Sequence, residues 1–159
     1  MKKFLALLLM VVMSFAILTG CSDPVYDDLD NFLNVEMTEV NADYEKIKAE
    51  IATWETLADD AALAKSLNEV LIPLVDSSLE KLENINPATD EVKDVKEKYV
   101  DVMEAYKEGF TALAEGCVTQ DEATINKGYE SAGKAVELLD VYNNALEELA
   151  AEHGGEIEF

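Results

Sequence analysis

Apolar residues recur at steps of three and four along almost the whole chain after residue 23, and this spacing constrains the fold more than any other feature. Such spacing gathers apolar side chains on one face of an α-helix. Four stretches carry it, separated by short polar connections. The sequence therefore predicts four amphipathic helices, at residues 24–58, 61–85, 90–117 and 121–153.

Residues at the predicted helix starts support these boundaries. Asp23 precedes Pro24, and aspartate is favoured at the N-cap while proline is tolerated in the first helical turn. Thr89 can cap the third helix, and residues 119–122 fit a capping box for the fourth. The starts of three of the predicted helices therefore carry capping signals of their own.

Proline and asparagine mark the places where the predicted helices are interrupted. Asn86-Pro87 ends the second helix, because the residue before proline avoids helical angles. Pro73 lies inside that helix and predicts a kink, since it removes one backbone hydrogen bond. In the first helix, Asn41 is the favoured place for a break. A kink at Pro73, followed by Ser77-Ser78, also indicates a weak point in the packing where a cavity can form.

Short connections between the four helices predict an all-α fold, an antiparallel up-down-up-down four-helix bundle. No alternating apolar pattern competes with it. Gly154-Gly155 is expected to stop the last helix and leave 154–159 as a flexible tail. The bundle itself spans 21–153. Its core is expected to bury one residue from each helix, namely Ile51, Leu71, Phe110 and Leu139.

The first twenty residues have the pattern of an export signal. Lys2 and Lys3 precede an apolar run of about fifteen residues, which is shorter than the roughly 20 that a membrane-spanning helix needs. We therefore predict that 1–20 is a signal peptide that is removed from the mature protein.

The end of this signal, Leu18-Thr19-Gly20-Cys21, resembles the lipobox of bacterial lipoproteins. The resemblance implies cleavage before Cys21, a diacylglycerol on its sulfur, and acylation of the new amino group. It also implies an extracytoplasmic protein attached to the membrane through the lipid on Cys21. A Gram-positive surface is favoured by the absence of arginine, and the periplasm or outer membrane applies in a Gram-negative cell. An incidental cysteine in an apolar segment is the alternative.

The charge of the chain narrows the range of partners. It carries 12 lysines, no arginine and 34 acidic residues. Because Lys2 and Lys3 lie in the predicted signal, the mature chain has 10 lysines against 34 acids, a formal charge of −24. Such a surface does not suit nucleic acid or anionic substrates, which are met by lysine and arginine. It keeps an exported protein soluble.

Residues that usually carry catalysis or metal binding are scarce. His153 is the single histidine and is expected to be exposed in the last helical turn. Neither a Glu-x-x-His pair nor an EF-hand spacing occurs, and acids at 27–30 are not spaced for calcium. Cys117 is in phase with an apolar stripe and predicts a buried thiol. No acid lies on a stripe. We therefore expect no metal, no cofactor and no enzymatic activity.

Two sets of residues on the last two helices predict either close packing or a ligand gap. Glycines inside helices cost roughly 1 kcal/mol each, so four of them need a reason; they are Gly109, Gly116, Gly128 and Gly133. One reason is close helix contact. The other is an aromatic-lined gap, lined by Tyr99, Tyr106, Phe110, Tyr129 and Tyr142.

These features favour a non-enzymatic function. The leading hypothesis is a lipid-anchored helical protein that serves as an interaction or structural accessory module, with an unknown protein partner. The alternative is a small-molecule-binding lipoprotein that uses the aromatic-lined gap. The volume and lining of any space between the helices separates the two hypotheses.

Overall fold

The computed structural model describes residues 15–17 and 23–158, and this part of the chain is mostly helical, with short connections and one pair of short strands. Its α-helices are α1 (Pro24–Asn31), α2 (Thr38–Ala52), α3 (Asp60–Ser66), α4 (Ile72–Asn84), α5 (Asp90–Thr119) and α6 (Glu122–Glu152). Three further helical turns have other geometries: π-helical turns at Phe32–Glu36 and Leu67–Leu71, and a 3₁₀ turn at Thr53–Thr56. The predicted all-α class is confirmed.

The first two predicted helices are each divided, so the chain has six α-helices in its described part rather than four uninterrupted ones. The first departs from α geometry at Phe32–Glu36, and Asn41 lies inside α2. A π turn contains an extra residue but keeps the chain helical. Apolar steps of three and four therefore continue through it, and the sequence pattern does not reveal the interruption.

The irregularity predicted at Pro73 is a π turn placed directly before it. Pro73 lies in the first turn of α4, where its missing N–H is tolerated. The preceding residue, Ile72, donates its N–H to the carbonyl of Leu67, which closes the wider π turn. The chain therefore stays helical through Pro73, with the π turn as the irregularity next to it.

The core lies between helices from all parts of the chain. α2 packs on α4, both α3 and α4 pack on α5, and α5 contacts α6 extensively. The four residues predicted to be buried are confirmed, with 0–2% of each exposed: Ile51, Leu71, Phe110 and Leu139. The helical phase read from the sequence is therefore right at each of these positions.

Three of the four glycines lie where α5 and α6 approach closely. A Cβ atom on Gly109 would lie 2.8 Å from the backbone nitrogen of Ala132. One on Gly128 would lie 2.7 Å from the nitrogen of Leu113, and one on Gly116 would meet Ile125 at a similar distance. Close contact therefore explains these glycines. Gly133 differs, because a Cβ there would have no neighbour within 4 Å.

A short antiparallel strand pair joins β1 (Phe15–Ile17) to β2 (Glu156–Glu158), with Ala16 opposite Ile157. The strands differ from the sequence-based prediction, in which 154–159 is a flexible tail and the chain has no strand. Three residues are too few to show an alternating pattern, so the pair had no sequence signal. Because β1 lies within the predicted signal peptide, cleavage before Cys21 would remove the partner of β2.

Candidate functional site

The predicted lipid-attachment residue, Cys21, lies outside the described residues, but the chain two residues later is held in place. The Oδ1 atom of Asp23 accepts hydrogen bonds from the backbone N–H groups of Val25 at 3.0 Å and Tyr26 at 3.4 Å. Its Oδ2 atom lies 2.8 Å from Nδ1 of His153. The hydrogen bond with His153 is the largest cause that lowers the pKa of Asp23, and the two capping N–H groups add to it. The start of α1 and the end of α6 therefore meet beside the predicted anchor.

His153 is not the exposed residue that the sequence predicted. Its side chain is 22% exposed and pairs with Asp23 at the opposite end of the chain. The sequence correctly predicts that His153 lies at the end of the last helix, where it is the C-cap of α6. It does not show which segment packs against this helix end. The histidine is therefore a contact between helix ends.

A second group of hydrogen bonds joins α1 to the start of α5. Asp28 on α1 accepts hydrogen bonds from the backbone N–H of Thr89 at 2.8 Å and its hydroxyl at 2.7 Å, and from Ala88 N–H at 3.0 Å. Burial opposes ionisation of Asp28, but these hydrogen bonds outweigh it and lower its pKa. Thr89 occupies the N-cap position of α5, as predicted, yet its hydroxyl does not cap that helix.

Four of the five predicted gap-lining residues pack against one another or against neighbouring helices in the core. Tyr99, Tyr106, Phe110 and Tyr142 are each at most 3% exposed. The ring centroids of Tyr99 and Tyr142 lie 4.9 Å apart, and those of Tyr106 and Phe110 lie 5.6 Å apart. Tyr129 is half-buried. These side chains line neither of the two grooves described below.

The tyrosine hydroxyls of this cluster are held in their neutral form. Burial raises the pKa of Tyr99, Tyr106 and Tyr142 far above the usual value, and raises that of Tyr44 to about 12. The hydroxyls of Tyr106 and Tyr44 share a hydrogen bond, which links α5 to α2. The cluster therefore serves as packing between helices.

An open groove of about 660 Å³ lies between α2 and α4, and we call it the α2–α4 groove. It occurs at Pro73, the position at which the sequence predicted weak packing. From the α2 side it is lined by Lys46, Ala49, Glu50 and Thr53, and from the α4 side by Glu69, Val70, Pro73 and Leu74. Most of the surface that lines the groove is apolar, and we call this apolar surface its floor; Lys46, Glu50 and Glu69 are the charged residues of the lining.

A hydrogen-bonded chain of side chains reaches the α2–α4 groove from the core. Trp54 Nε1 donates to the Ser66 hydroxyl at 3.1 Å, and that hydroxyl donates to Glu50 Oε1 at 2.6 Å. Ser66 is buried, while Trp54 and Glu50 are half-buried. The chain's single tryptophan is therefore coupled to a carboxylate that lines the groove. The apolar pattern could not predict this coupling, because the partners come from two different helical regions.

A second groove of about 480 Å³, the α5 groove, lies along α5 and is bordered by α4 and α6. Its lining residues are mostly polar: Leu79, Glu104, Lys107, Glu108, Thr111, Ala112, Glu115 and Lys127. Lys107 lies 2.7 Å from Asp76, and Lys127 lies 3.4 Å from Glu108. Its lysines are thus paired with acids of neighbouring helices.

A buried carboxylate joins α2 to α4. Asp43 is 2% exposed, although the sequence analysis found no acid on an apolar stripe. Its oxygens accept hydrogen bonds from Lys46 at 2.8 Å, from the Ser77 hydroxyl at 3.0 Å, and from Lys81. Burial opposes ionisation of Asp43, but these three donors outweigh it and lower its pKa. Its neighbours in sequence could not reveal this, because Ser77 and Lys81 come from α4.

Replacing Asp43 with asparagine is expected to lower the free energy of unfolding at pH 7 by about 1–2 kcal/mol, since charge-assisted hydrogen bonds become neutral ones. Because the pKa of Asp43 is lowered in the folded state, its ionisation stabilises the fold above pH 4 or so. That contribution disappears as the pH falls through the folded-state pKa. Urea unfolding of both proteins between pH 7 and pH 2.5 measures the difference, which should shrink below about pH 4.

The matched control for this prediction is Asp101→Asn, which removes an exposed acid from α5. It should change the free energy of unfolding by less than about 0.5 kcal/mol at every pH. If Asp43→Asn and Asp101→Asn behave alike at pH 7, the buried ion pairs do not stabilise the fold.

The remaining candidate groups are the thiol of Cys117 and the acidic side chains. Cys117 is buried, as predicted, and burial raises the pKa of its thiol. Within residues 15–17 and 23–158, no three side chains of histidine, cysteine or acidic type are grouped to hold a metal ion. Over the same residues, no helix is both long enough and apolar enough to cross a bilayer.

Comparison with known proteins gives one family match. A family model described as "EMYY-motif containing lipoprotein" matches residues 1–119, from the predicted signal to the end of α5. The helix α6 lies outside that match, and the run Glu-Met-Tyr-Tyr does not occur in this sequence. A search of curated proteins and a search of solved structures found no match.

Proposed function

Because the chain belongs to the family of EMYY-motif containing lipoproteins, we propose that it is a non-enzymatic interaction module held outside the cytoplasm by a lipid on Cys21. The observation that carries this proposal is the separation of anchor and groove. Asp23 and His153 meet beside the predicted anchor, whereas the α2–α4 groove begins at Lys46. At 1.5 Å per helical residue, the helical chain from Asp23 to Lys46 is about 35 Å long.

We further propose that the helical regions form an antiparallel up-down-up-down bundle that stands away from the membrane. Contacts between successive regions support this, because residue numbers rise on one helix as they fall on the next. The supporting pairs are Asp43–Lys81 with Glu50–Ser66, Lys96–Ile85 with Lys107–Asp76, and Tyr99–Tyr142 with Gly116–Ile125. In this arrangement the 53–60 and 119–121 connections lie furthest from the anchor.

The non-enzymatic part of the proposal is supported by the surroundings of the few reactive groups. His153 is engaged with Asp23 at the anchor end. The thiol of Cys117 is buried and has a raised pKa, which disfavours the nucleophilic thiolate. Neither group lines the α2–α4 groove or the α5 groove. The strong negative charge also favours partners other than nucleic acid and anionic lipid.

The alternative function, binding of a small molecule, depends on a space other than the one predicted. Four of the five aromatic residues are buried, so the α2–α4 groove and the α5 groove are the candidate places for a small ligand, and the α2–α4 groove is the larger of these two. Its volume is within the range of ordinary ligand sites, but it is open to solvent. Small-molecule sites bury most of the surface of their ligand. An open groove between helices leaves a small ligand exposed, so it suits a macromolecular partner better.

Replacing Cys21 with serine is expected to release the protein from the membrane or leave an uncut precursor. One acyl chain gives marginal membrane binding and two give stable anchoring, so loss of the modified cysteine removes the anchor. Cell fractionation followed by mass spectrometry of the N-terminal peptide measures both outcomes. Cys117→Ser is the matched control and should remain in the membrane fraction. An unmodified Cys21 on a mature, released protein would contradict lipid anchoring.

Site-specific photo-crosslinking on living cells tests the interaction function. The photoreactive residue is placed at Thr53 in the α2–α4 groove, at Thr111 in the α5 groove, and at Glu137 on the exposed face of α6. We expect discrete adducts from a groove position and none from Glu137. Absence of adducts at all three positions would reject an interaction module with a partner on these surfaces.

A further inference from the structure

The α2–α4 groove has an apolar floor that no side chain of the described protein fills. A π turn ends directly before α4 on one side of the groove, and the small side chain of Ala49 lies on the facing helix. Val70 and Leu74 are only half-buried there, and Pro73 and Ala49 are exposed. The groove thus leaves apolar surface available for side chains of a partner.

The charge at the edges of the groove favours a basic partner. Lys46, the basic residue of the lining, already donates to the carboxylate of Asp43. Glu50 accepts from the neutral Ser66 hydroxyl, and Glu69 lies at 3.9 Å from an exposed lysine, which is a weak contact. Two carboxylates therefore border the apolar floor with little compensation, on a mature chain with a formal charge of −24.

We propose that the α2–α4 groove docks a cationic amphipathic peptide helix. The apolar face of that helix lies on Val70, Pro73 and Leu74, and its lysines or arginines pair with Glu50 and Glu69. Helix-in-groove recognition uses apolar anchors at steps of three and four, which suits an open groove between two helices. Complementary charge speeds association and fixes the orientation of the partner. The inference rests on the proposed interaction function and names the chemistry of its partner.

Trp54 provides a built-in reporter for this binding. Its indole N–H is linked through Ser66 to Glu50, so a cation that pairs with Glu50 changes the hydrogen bonding of the indole. Trp54 is the only tryptophan in the chain. With excitation that selects tryptophan over the tyrosines, the fluorescence of a sample with a tryptophan-free peptide therefore comes from this one position.

The test is a titration of the full lipoprotein in phosphatidylcholine vesicles with a synthetic leucine–lysine amphipathic helix that lacks tryptophan. We expect a saturable change in Trp54 fluorescence and in the anisotropy of the labelled peptide. A peptide of the same composition, scrambled to remove the apolar face, should bind at least about tenfold more weakly, which corresponds to about 1.4 kcal/mol. Equal binding of the scrambled peptide would overturn the proposal.

Variants of the groove locate the binding. Glu50→Gln combined with Glu69→Gln should weaken binding at least about fivefold, and Ala49→Phe should abolish it by filling the groove. The control, Glu130→Gln with Glu137→Gln, makes the same charge change on exposed positions of α6 and should alter affinity less than about twofold. Circular dichroism melts establish that each variant is folded. Equal weakening by the control would show that attraction is diffuse and overturn the groove assignment.

The results separate this inference from the interaction function on which it rests. Crosslinked adducts on cells without peptide binding at the groove would reject the cationic helix and keep the interaction module. Peptide binding at the groove without any adduct on cells would support binding of a cationic helix by the groove. It would reject the proposal that the protein functions as an interaction module on cells. Absence of a saturable change in both fluorescence and anisotropy overturns the inference directly.

Discussion

The Phe110→Ala variant is expected to lose about 3–5 kcal/mol of its free energy of unfolding. Phe110 is fully buried on α5, and its ring contacts two other rings. Its centroid lies 5.6 Å from that of Tyr106 and 6.2 Å from that of Trp54. Truncation removes apolar burial and leaves a cavity between α5 and the end of α2. A loss of this size is a large part of the 5–15 kcal/mol typical of folded domains.

Urea unfolding followed by circular dichroism measures the loss. The control is Val118→Ala on the same helix, where the side chain is 70% exposed, and it should change the free energy by less than about 0.5 kcal/mol. Trp54 fluorescence should also shift in Phe110→Ala, because the indole loses an edge contact. A loss below about 1 kcal/mol would contradict the packing of this ring.

Replacing Gly128 with alanine is expected to destabilise the protein, whereas the same change at Gly133 is expected to stabilise it. The new Cβ at Gly128 would lie 2.7 Å from the backbone nitrogen of Leu113 and 2.9 Å from the carbonyl oxygen of Gly109. Backbone atoms of α5 cannot move aside singly, so the helices must separate. Overpacking of about 1–3 kcal/mol then exceeds the roughly 1 kcal/mol gained in helix propensity.

Gly133 is the matched control on the same helix, because a Cβ there meets open space. Gly133→Ala should therefore raise the free energy of unfolding by about 1 kcal/mol. Thermal melts of both variants measure the sign of each change. Stabilisation of both would mean that α5 and α6 tolerate a wider separation, and close contact would no longer explain Gly109, Gly116 and Gly128.

Local sequence predicted the features that depend on neighbours within one helical turn. The side chain of Asp23 caps α1 as expected, and Ile51, Leu71 and Leu139 lie in the core at their predicted phase. These predictions hold because capping and helical phase are set by residues a few positions apart. The sequence did not predict the π turn at Phe32–Glu36, because the apolar spacing stays helical across a π turn that adds only one residue.

The local apolar pattern could not predict contacts between segments that are far apart in the sequence. His153 meets Asp23 across almost the whole chain, and Asp43 is buried only because Ser77 and Lys81 of α4 reach it. The aromatic residues of α5 and α6 indicated either a gap or a packed core, and side-chain spacing is the same in both cases. The close ring distances of Tyr99 with Tyr142 and of Tyr106 with Phe110 favour the packed core.

The sequence by itself determined the helical class, the acidic charge and the resemblance of residues 18–21 to a lipobox, because each is carried by adjacent residues or by composition. Tertiary structure alone decided which glycines touch, where Glu50 meets Ser66, and which side chains line the groove beside Pro73. These depend on how closely two helices approach. That distance is set by the summed sizes of side chains from both helices, and no single segment contains it.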